Sequence, residues 1–379
     1  MATSVARPEA SSADGNGASA PAHWLRLTLA PGIGNAGQRK LLSRFGLPGH
    51  IFEASRSALR DVVGDKAACV LLDNPHRDEI AQALAWSATP GNRLLTLADS
   101  DYPPALLQLA DAPTLLYASG DLASLQTPAI AIVGSRSATP GGIDNAKRFA
   151  SHLAGGGWSV VSGLAAGIDG AAHQGALDVG GRTIAVVGTG LDRVYPARHH
   201  TLAHAIRARG LLLSEYPLGT APLPGNFPRR NRLIAALGNG LLVVEATRDS
   251  GSLITARLAG ELGREVFAIP GSIHAPQARG CHQLIRQGAK LVETAADILE
   301  ELGAPSPSIH SPDTGDAAES EHAPHPVLTA LGHDACALDT LTQRSGLTAD
   351  ALLAILLELE LAGHVASLPG GRYQRLGNP

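Results

Sequence analysis

Aromatic side chains are scarce in this chain, at 3% of 379 residues. That scarcity excludes a binding surface built mainly by stacking many bases on aromatic rings. A surplus of positive charge is missing too. The formal net charge is −4, so any attraction to nucleic acid must come from a local basic patch. The three cysteines, Cys69, Cys281 and Cys336, are scattered and form no C-x-x-C pair. An odd, dispersed set reads as reduced thiols in a cytoplasmic protein. The 15 histidines show no H-E-x-x-H or other metal spacing, so no metal is expected. No apolar run approaches the ~20 residues of a membrane span. No basic-then-apolar signal opens the chain. Neither G-x-G-x-x-G nor G-x-x-x-x-G-K-[ST] occurs, which disfavours ordinary dinucleotide or ATP binding. No cofactor is expected.

What is present is a large apolar fraction, 44%, ample for a normal core. The length suggests two or three domains. Residues 1–22 are rich in Ala, Ser, Gly and Pro and read as a disordered tail. Residues 23–90 read as a helical unit, either helix-hairpin-helix or a SAM-like packing module. Its mark is Leu29-Ala-Pro-Gly-Ile-Gly34, ahead of Lys40-Leu-Leu-Ser-Arg-Phe-Gly46. Such a Gly-x-Gly turn can bring backbone N–H groups to a phosphate, or simply allow tight packing. Residues 91–303 alternate strands and helices. The expected strands are 129–134, 158–162, 182–187, 211–214, 240–245 and 265–269, with a weaker one at 290–292. This predicts an α/β core, Rossmann-like, with a mostly parallel sheet. Residues 304–326 lose all periodicity and read as a linker. Residues 327–379 fit a winged helix, with a recognition helix at 349–361 and a wing around Pro369-Gly-Gly371. That helix has Glu358 and Glu360 but no Lys or Arg, so a protein contact is at least as good a reading as DNA.

The chain is organised around Ala129-Ile-Ala-Ile-Val-Gly-Ser-Arg136. An uncharged β-branched run reads as a buried parallel strand. Gly134 allows the turn, and Ser135 and Arg136 arrive at the strand's carboxyl end, where ligands of open α/β sheets sit. Pro140-Gly-Gly142 precedes a helix with unpartnered N–H groups. Ser162 and Gly163 leave the next strand in the same way. Asp169 suits an N-cap and stands i, i+4 from His173, so the two could instead form an acid/base pair. Asn226-Phe-Pro-Arg-Arg-Asn-Arg232 is the strongest basic cluster. Arg229, Arg230 and Arg232 crowd a helix start whose macrodipole is already positive, which favours a bound anion over a merely solvated face. Ser250, Gly251 and Ser252, and then Pro270-Gly-Ser272, add further hydroxyls and N–H groups after later strands. Phosphate is the expected anion.

These motifs resemble the DNA-processing protein A (DprA, or Smf) family of bacteria. The resemblance rests on Ala131-Ile-Val-Gly-Ser-Arg136, Ser162-Gly-Leu-Ala-x-Gly-Ile-Asp169 with His173, and Gly188-Thr-Gly-Leu-Asp192 with Tyr195-Pro196. It continues through Leu213-Ser-Glu-Tyr-Pro217, Phe227-Pro-x-Arg-Asn-Arg232, Ser250-Gly-Ser-Leu-x-Thr-Ala256 and Pro270-Gly271. It implies an extended Rossmann-like fold and no catalytic activity. It further implies sequence-independent binding of single-stranded DNA, protection of incoming strands in natural transformation, loading of the RecA recombinase, and a homodimer. Carried over residue by residue, the phosphate holders would be Gly134, Ser135 and Arg136; Ser162 and Gly163; Asn226, Phe227, Arg229, Arg230, Asn231 and Arg232; and Ser250, Gly251 and Ser252. Ala166 stands where many relatives have Arg or Lys. The alternative is a nucleotide-phosphate hydrolase on the same fold, with Glu215, Glu245, Asp169 or His173 as acid or base.

Overall fold

The structure is a computed structural model and describes residues 20–73, 76–303, 325–332 and 335–376. Residues 304–324 of the expected linker and nearly all of the expected tail lie outside the described residues; the last two linker positions are instead the N-cap and first residue of a helix, His325 and Pro326. The described residues fall into two compact units, those up to 102 with 110–117, and those of 103–109 with the described residues from 118 onward. No described helix is long and apolar enough to cross a membrane.

The first unit carries six helices: α1 (Ala20–Leu29), α2 (Asn35–Phe45), α3 (Pro48–Glu53), α4 (Arg56–Val63), α5 (Asp65–Asp73) and α6 (Arg77–Ser87). Two short strands follow, β1 (Asn92–Thr96) and β2 (Leu115–Gly120). The helix α1 begins ahead of the expected His23, and β1 had no counterpart in the sequence reading. Leu27, Ile33, Leu41, Ile51, Leu59 and Leu71 form one core. Short helices of this length are marginal alone, so that shared core is what holds them. Arg26 helps by donating to the carbonyls of Leu71 and Leu72, each at 3.2 Å, while lying over the Phe52 ring.

The second unit begins with β3 (Ala129–Val133), α7 (Pro140–Gly155), β4 (Ser159–Ser162), α8 (Ile168–Asp178) and β5 (Thr183–Val186). It continues with α9 (His200–Arg209), β6 (Leu211–Ser214), α10 (Asn226–Leu237), β7 (Gly240–Val243), α11 (Gly251–Glu261) and β8 (Glu265–Ala268). Then come α12 (Arg279–Arg286), β9 (Lys290–Leu291) and α13 (Ala295–Leu302). The spatial order is β6-β5-β4-β3-β7-β8-β9, and every one of these pairings is parallel. From β3 the chain builds outward through β4, β5 and β6. It then returns to the other side of β3 with β7. The strand order therefore reverses between β3 and β7, which is where an open parallel sheet leaves a crevice at its carboxyl edge. Ile130, Ile132, Val160, Leu242 and Phe267 from the strands meet Phe149 and Leu153 of α7 in the main core.

Two local expectations shift. Pro140 and Gly142 are not a loop before a helix but its first turn, with Thr139 as the N-cap; proline is pre-organised for that position. Asp169 is not an N-cap. Gly167 takes that place, and Asp169 lies in the first turn of α8.

The C-terminal part contains α14 (Pro326–Leu331), β10 (Cys336–Ala337), α15 (Leu338–Ser345), α16 (Ala349–Leu361), β11 (Val365–Leu368) and β12 (Arg372–Arg375). The strands form a small antiparallel sheet, β10-β12-β11, closing the winged helix. Leu352, Leu356 and Leu359 of α16 are buried in its core. Leu353, Leu357 and Leu361 of the same helix are exposed, so the helix offers no cation toward a phosphate chain.

Candidate functional site

A cavity of about 610 Å³ opens at the β3–β7 reversal. One wall is the loop leaving β3, with Gly134, Ser135, Arg136 and Ser137; the facing wall follows β7, with Thr247, Ser250, Gly251, Ser252 and Thr255. The start of α10 supplies Phe227, Arg230 and Asn231. Asp169 comes from the first turn of α8, and Tyr195 and Pro224 from other strand-end loops.

Gly134 is required, for a reason other than the turn expected from the sequence. A Cβ there would lie 2.6 Å from Ile168 Cγ1 and 2.9 Å from the Glu245 carbonyl oxygen. The residue is small because α8 and the end of β7 close in on it. Ser135 then donates its backbone N–H to the Glu245 carbonyl at 2.7 Å, and its hydroxyl accepts from Ser137 N–H at 3.2 Å. Arg136 is exposed. Its guanidinium carbon lies 5.3 Å from the centroid of the Phe227 ring. Phe227 stacks in turn on Tyr195, at 5.4 Å between centroids. A cation over an aromatic face is favourable and keeps the remaining N–H groups free to donate.

Arg230 lines the same cavity but is only 3% exposed. It donates to the carbonyls of Gly163, at 2.7 Å, and Val186. Burial pulls its pKa down to about 10, opposed by the nearby Asp169 charge. Arg230 therefore ties the ends of β4 and β5 together from inside the fold. Asp169 accepts from the N–H groups of Gly163, at 3.1 Å, and Ala165, at 3.4 Å. Burial raises its pKa, with Arg230 and the two N–H donors pulling the other way.

Arg232 does not face the cavity. It makes a 2.6 Å ion pair with Glu215, and both side chains are more than nine-tenths buried. Arg229 is exposed, 3.9 Å from the same carboxylate. The positive start of α10 is thus balanced by a carboxylate from the end of β6. The electrostatic cost that pointed to a bound anion at this cluster is met inside the chain. Ser162 is fully buried and donates to the Ile132 carbonyl at 2.6 Å. Asn226 donates to the Gly188 carbonyl at 3.1 Å. Gly163 sits behind the surface, bonded to Asp169 and Arg230. Ser250 caps α11 by accepting from Ser252 N–H at 3.3 Å, and the two hydroxyls lie 2.7 Å apart. Asn231 reaches toward the Gly251 carbonyl at 3.5 Å, linking α10 to that helix start.

Of the residues expected to hold phosphate, the cavity gathers Gly134, Ser135, Arg136, Phe227, Arg230, Asn231, Ser250, Gly251 and Ser252. It leaves out Ser162, Gly163, Asn226, Arg229 and Arg232. Tyr195 and Asp169 are the notable additions. Tyr195 carried a sequence signal, since Tyr195-Pro196 was among the motifs, but nothing local placed it beside Phe227.

The groups considered as acids or bases are all engaged. His173 does not pair with Asp169. Its Nδ1 lies 2.7 Å from Thr183 Oγ1, and that hydroxyl donates to the Val160 carbonyl at 2.7 Å. The imidazole must therefore be the donor, through a protonated Nδ1. Burial, with His199 and Arg230 nearby, lowers its pKa to about 3. Glu215 is held by Arg232. Glu245 is held by Thr139, at 2.9 Å from its N–H and 2.5 Å from its hydroxyl, and burial raises its pKa against those bonds. Among the described residues no group of His, Cys, Asp and Glu is arranged to hold a metal ion.

Residues 93–303 match the family model described as DNA recombination-mediator protein A, and residues 311–371 match the DprA winged helix domain. The chain is 44% identical over 310 residues to the Smf protein of Escherichia coli, covering 79% of this chain and 82% of that one. It is 48% identical over 207 residues to the DNA processing protein DprA of Streptococcus pneumoniae, covering 55% and 73%. The solved structure of the S. pneumoniae protein superposes with a TM-score of 0.67 at 38% identity, covering 74% of this chain and 97% of that one. A structure of Helicobacter pylori DNA processing protein A, which concerns that protein's single-stranded DNA binding mode, gives a TM-score of 0.51 at 33% identity, covering 55% and 95%. On this sequence and this fold, the chain belongs to the DNA recombination-mediator protein A family, known also as DprA or Smf.

Proposed function

We propose that this chain binds single-stranded DNA through the cavity at the β3–β7 reversal, without sequence preference and without breaking bonds. The observation that carries the reading is Arg136. Its guanidinium stands exposed at the cavity wall with no ion pair among the described residues, over the Phe227–Tyr195 aromatic pair. A phosphate accepts from such a guanidinium, and an adjacent ring offers a base a face to stack on. Phosphate contacts carry affinity but no sequence information, and stacking tolerates any base. The aromatic pair gives stacking more weight than the overall composition suggested.

A binding role, rather than a hydrolytic one, is supported by the engagement of Asp169, Glu215, Glu245 and His173 within the fold. Dimerisation and delivery of the strand to RecA are part of the same proposal. Their support is the family, whose model is described as a recombination mediator.

The test is a fluorescence titration with labelled oligo(dT) and oligo(dA) across salt concentrations. Arg136→Ala is expected to weaken both by about tenfold, which is about 1.4 kcal/mol. The log–log salt slope is expected to fall by about 0.7, one lost phosphate contact. Unchanged affinity at moderate salt overturns the proposal.

A further inference from the structure

We infer that Glu245 is a positioning residue for single-strand binding, one that sets Arg136 by gripping its loop at both ends. The inference rests on the reading of Arg136 given above. At the near end, the Glu245 carbonyl accepts the Ser135 N–H at 2.7 Å. At the far end, the Glu245 carboxylate accepts the Thr139 N–H at 2.9 Å and the Thr139 hydroxyl at 2.5 Å. Arg136, Ser137 and Ala138 lie between these grips. A single residue after β7 thus joins the ends of the two strands and fixes the loop that leaves β3.

The hydrogen-bond directions are determined. Thr139 Oγ1 accepts from Gly142 N–H at 3.0 Å, so its own proton goes to Glu245. A carboxylate with both oxygens accepting suits this arrangement, whereas an amide would turn a donor toward one of the two donors of Thr139. The neighbouring helix turn is shaped around the carboxylate. A Cβ at Gly142 would come within 2.6 Å of both Glu245 oxygens. A side chain at Gly142 would push this carboxylate away from Thr139. Glu245 itself is not among the residues lining the cavity, so it acts through the loop rather than on a ligand.

The experiment measures oligo(dT) affinity and its salt dependence for the full chain, alongside thermal unfolding. The variants are Glu245→Gln, Thr139→Ala and Arg136→Ala, singly and in pairs. Glu245→Gln is expected to weaken binding about five- to tenfold, and to lose that effect when Arg136 is already Ala, because coupled residues are not additive. The salt slope of Glu245→Gln should fall by about 0.7, as it does for Arg136→Ala. A purely structural role would lower the unfolding temperature and leave the slope alone. Thr139→Ala removes the hydroxyl half of the far grip, and the side-chain cap of α7 with it, while leaving the N–H bond and the carboxylate in place, so it tests the inference even if Glu245→Gln folds poorly. Wild-type affinity in both clamp variants, or losses that add fully to that of Arg136→Ala, overturns the inference alone. An unaltered protein that binds no oligo(dT) overturns it together with the reading beneath it.

Discussion

The loop after β3 and the first turns of α10 both bring arginine to the carboxyl edge of one sheet, and they use it differently. In the first, Arg136 is exposed, has no ion pair among the described residues and lies toward Phe227 in the cavity. In the second, Arg232 is buried against Glu215, and Arg230 is buried under the carbonyls of Gly163 and Val186. A cluster of cations is therefore a poor guide to where a ligand sits. A guanidinium already supplied with acceptors has little to offer a phosphate, whereas an isolated one keeps its full set of donors. The denser cluster mostly builds the frame, and the exposed Arg136 faces the opening.

The division between frame and opening can be broken experimentally. The largest effect is expected from Arg232→Ala, which removes the 2.6 Å partner of the buried Glu215 carboxylate and should cost about 3 kcal/mol in urea unfolding. Restoring part of that loss by adding Glu215→Ala would confirm the pairing. A stable Arg232→Ala that has lost DNA binding would place Arg232 in the opening instead.

The next effect is read per pH unit and comes from His173, a frame residue. Its pKa falls from 6.5 in the unfolded chain to about 3 in the fold. Between those values the unfolded state binds a proton that the native state does not. Stability should therefore rise with pH across that window, by about 1.4 kcal/mol per unit. His173→Asn, which keeps a donor near Nδ1, should flatten that dependence in melts run from pH 4 to 6.5. An unaltered slope would mean the ring is accessible to protons and thus closer to the opening than its burial indicates.

The smallest effect is expected at Arg229, exposed and 3.9 Å from Glu215. A solvent-screened partner of that kind should change stability by less than about 0.5 kcal/mol on substitution to Ala. A larger loss of oligo(dT) affinity than that of Arg136→Ala would reverse the ranking of the two loops.

Much of this was readable beforehand, for definite reasons. The strands from β3 to β7 were legible because a parallel strand covered on both faces must be an uninterrupted apolar run; the signal weakens at Glu265–Ala268, which opens on an exposed Glu, and at the partly exposed Lys290–Leu291. Ser135, Arg136 and the Ser250–Ser252 loop were legible because they follow such runs directly. The strand β1 was not, since Asn92–Thr96 opens on Asn and Arg and has no alternation. The partner of the arginine cluster was not legible either. Glu215 and Arg232 are separated along the chain, and nothing at either position announces that a helix will fold one onto the other. Tyr195 is the same case in the cavity, a ring placed beside Phe227 by a loop whose path no local pattern records.

By itself, then, the sequence determined the elements, the parallel sheet and the loops that end at its carboxyl edge, because periodicity, glycine and proline act over a few residues. Only the tertiary structure decided which polar groups face the cavity and which are bonded away behind it. Glu245 illustrates the reason. Its hydrogen bonds to Ser135 and Thr139 cross from β7 to β3, and the value of a charged or hydrogen-bonding side chain depends on partners that distant chain segments bring to it.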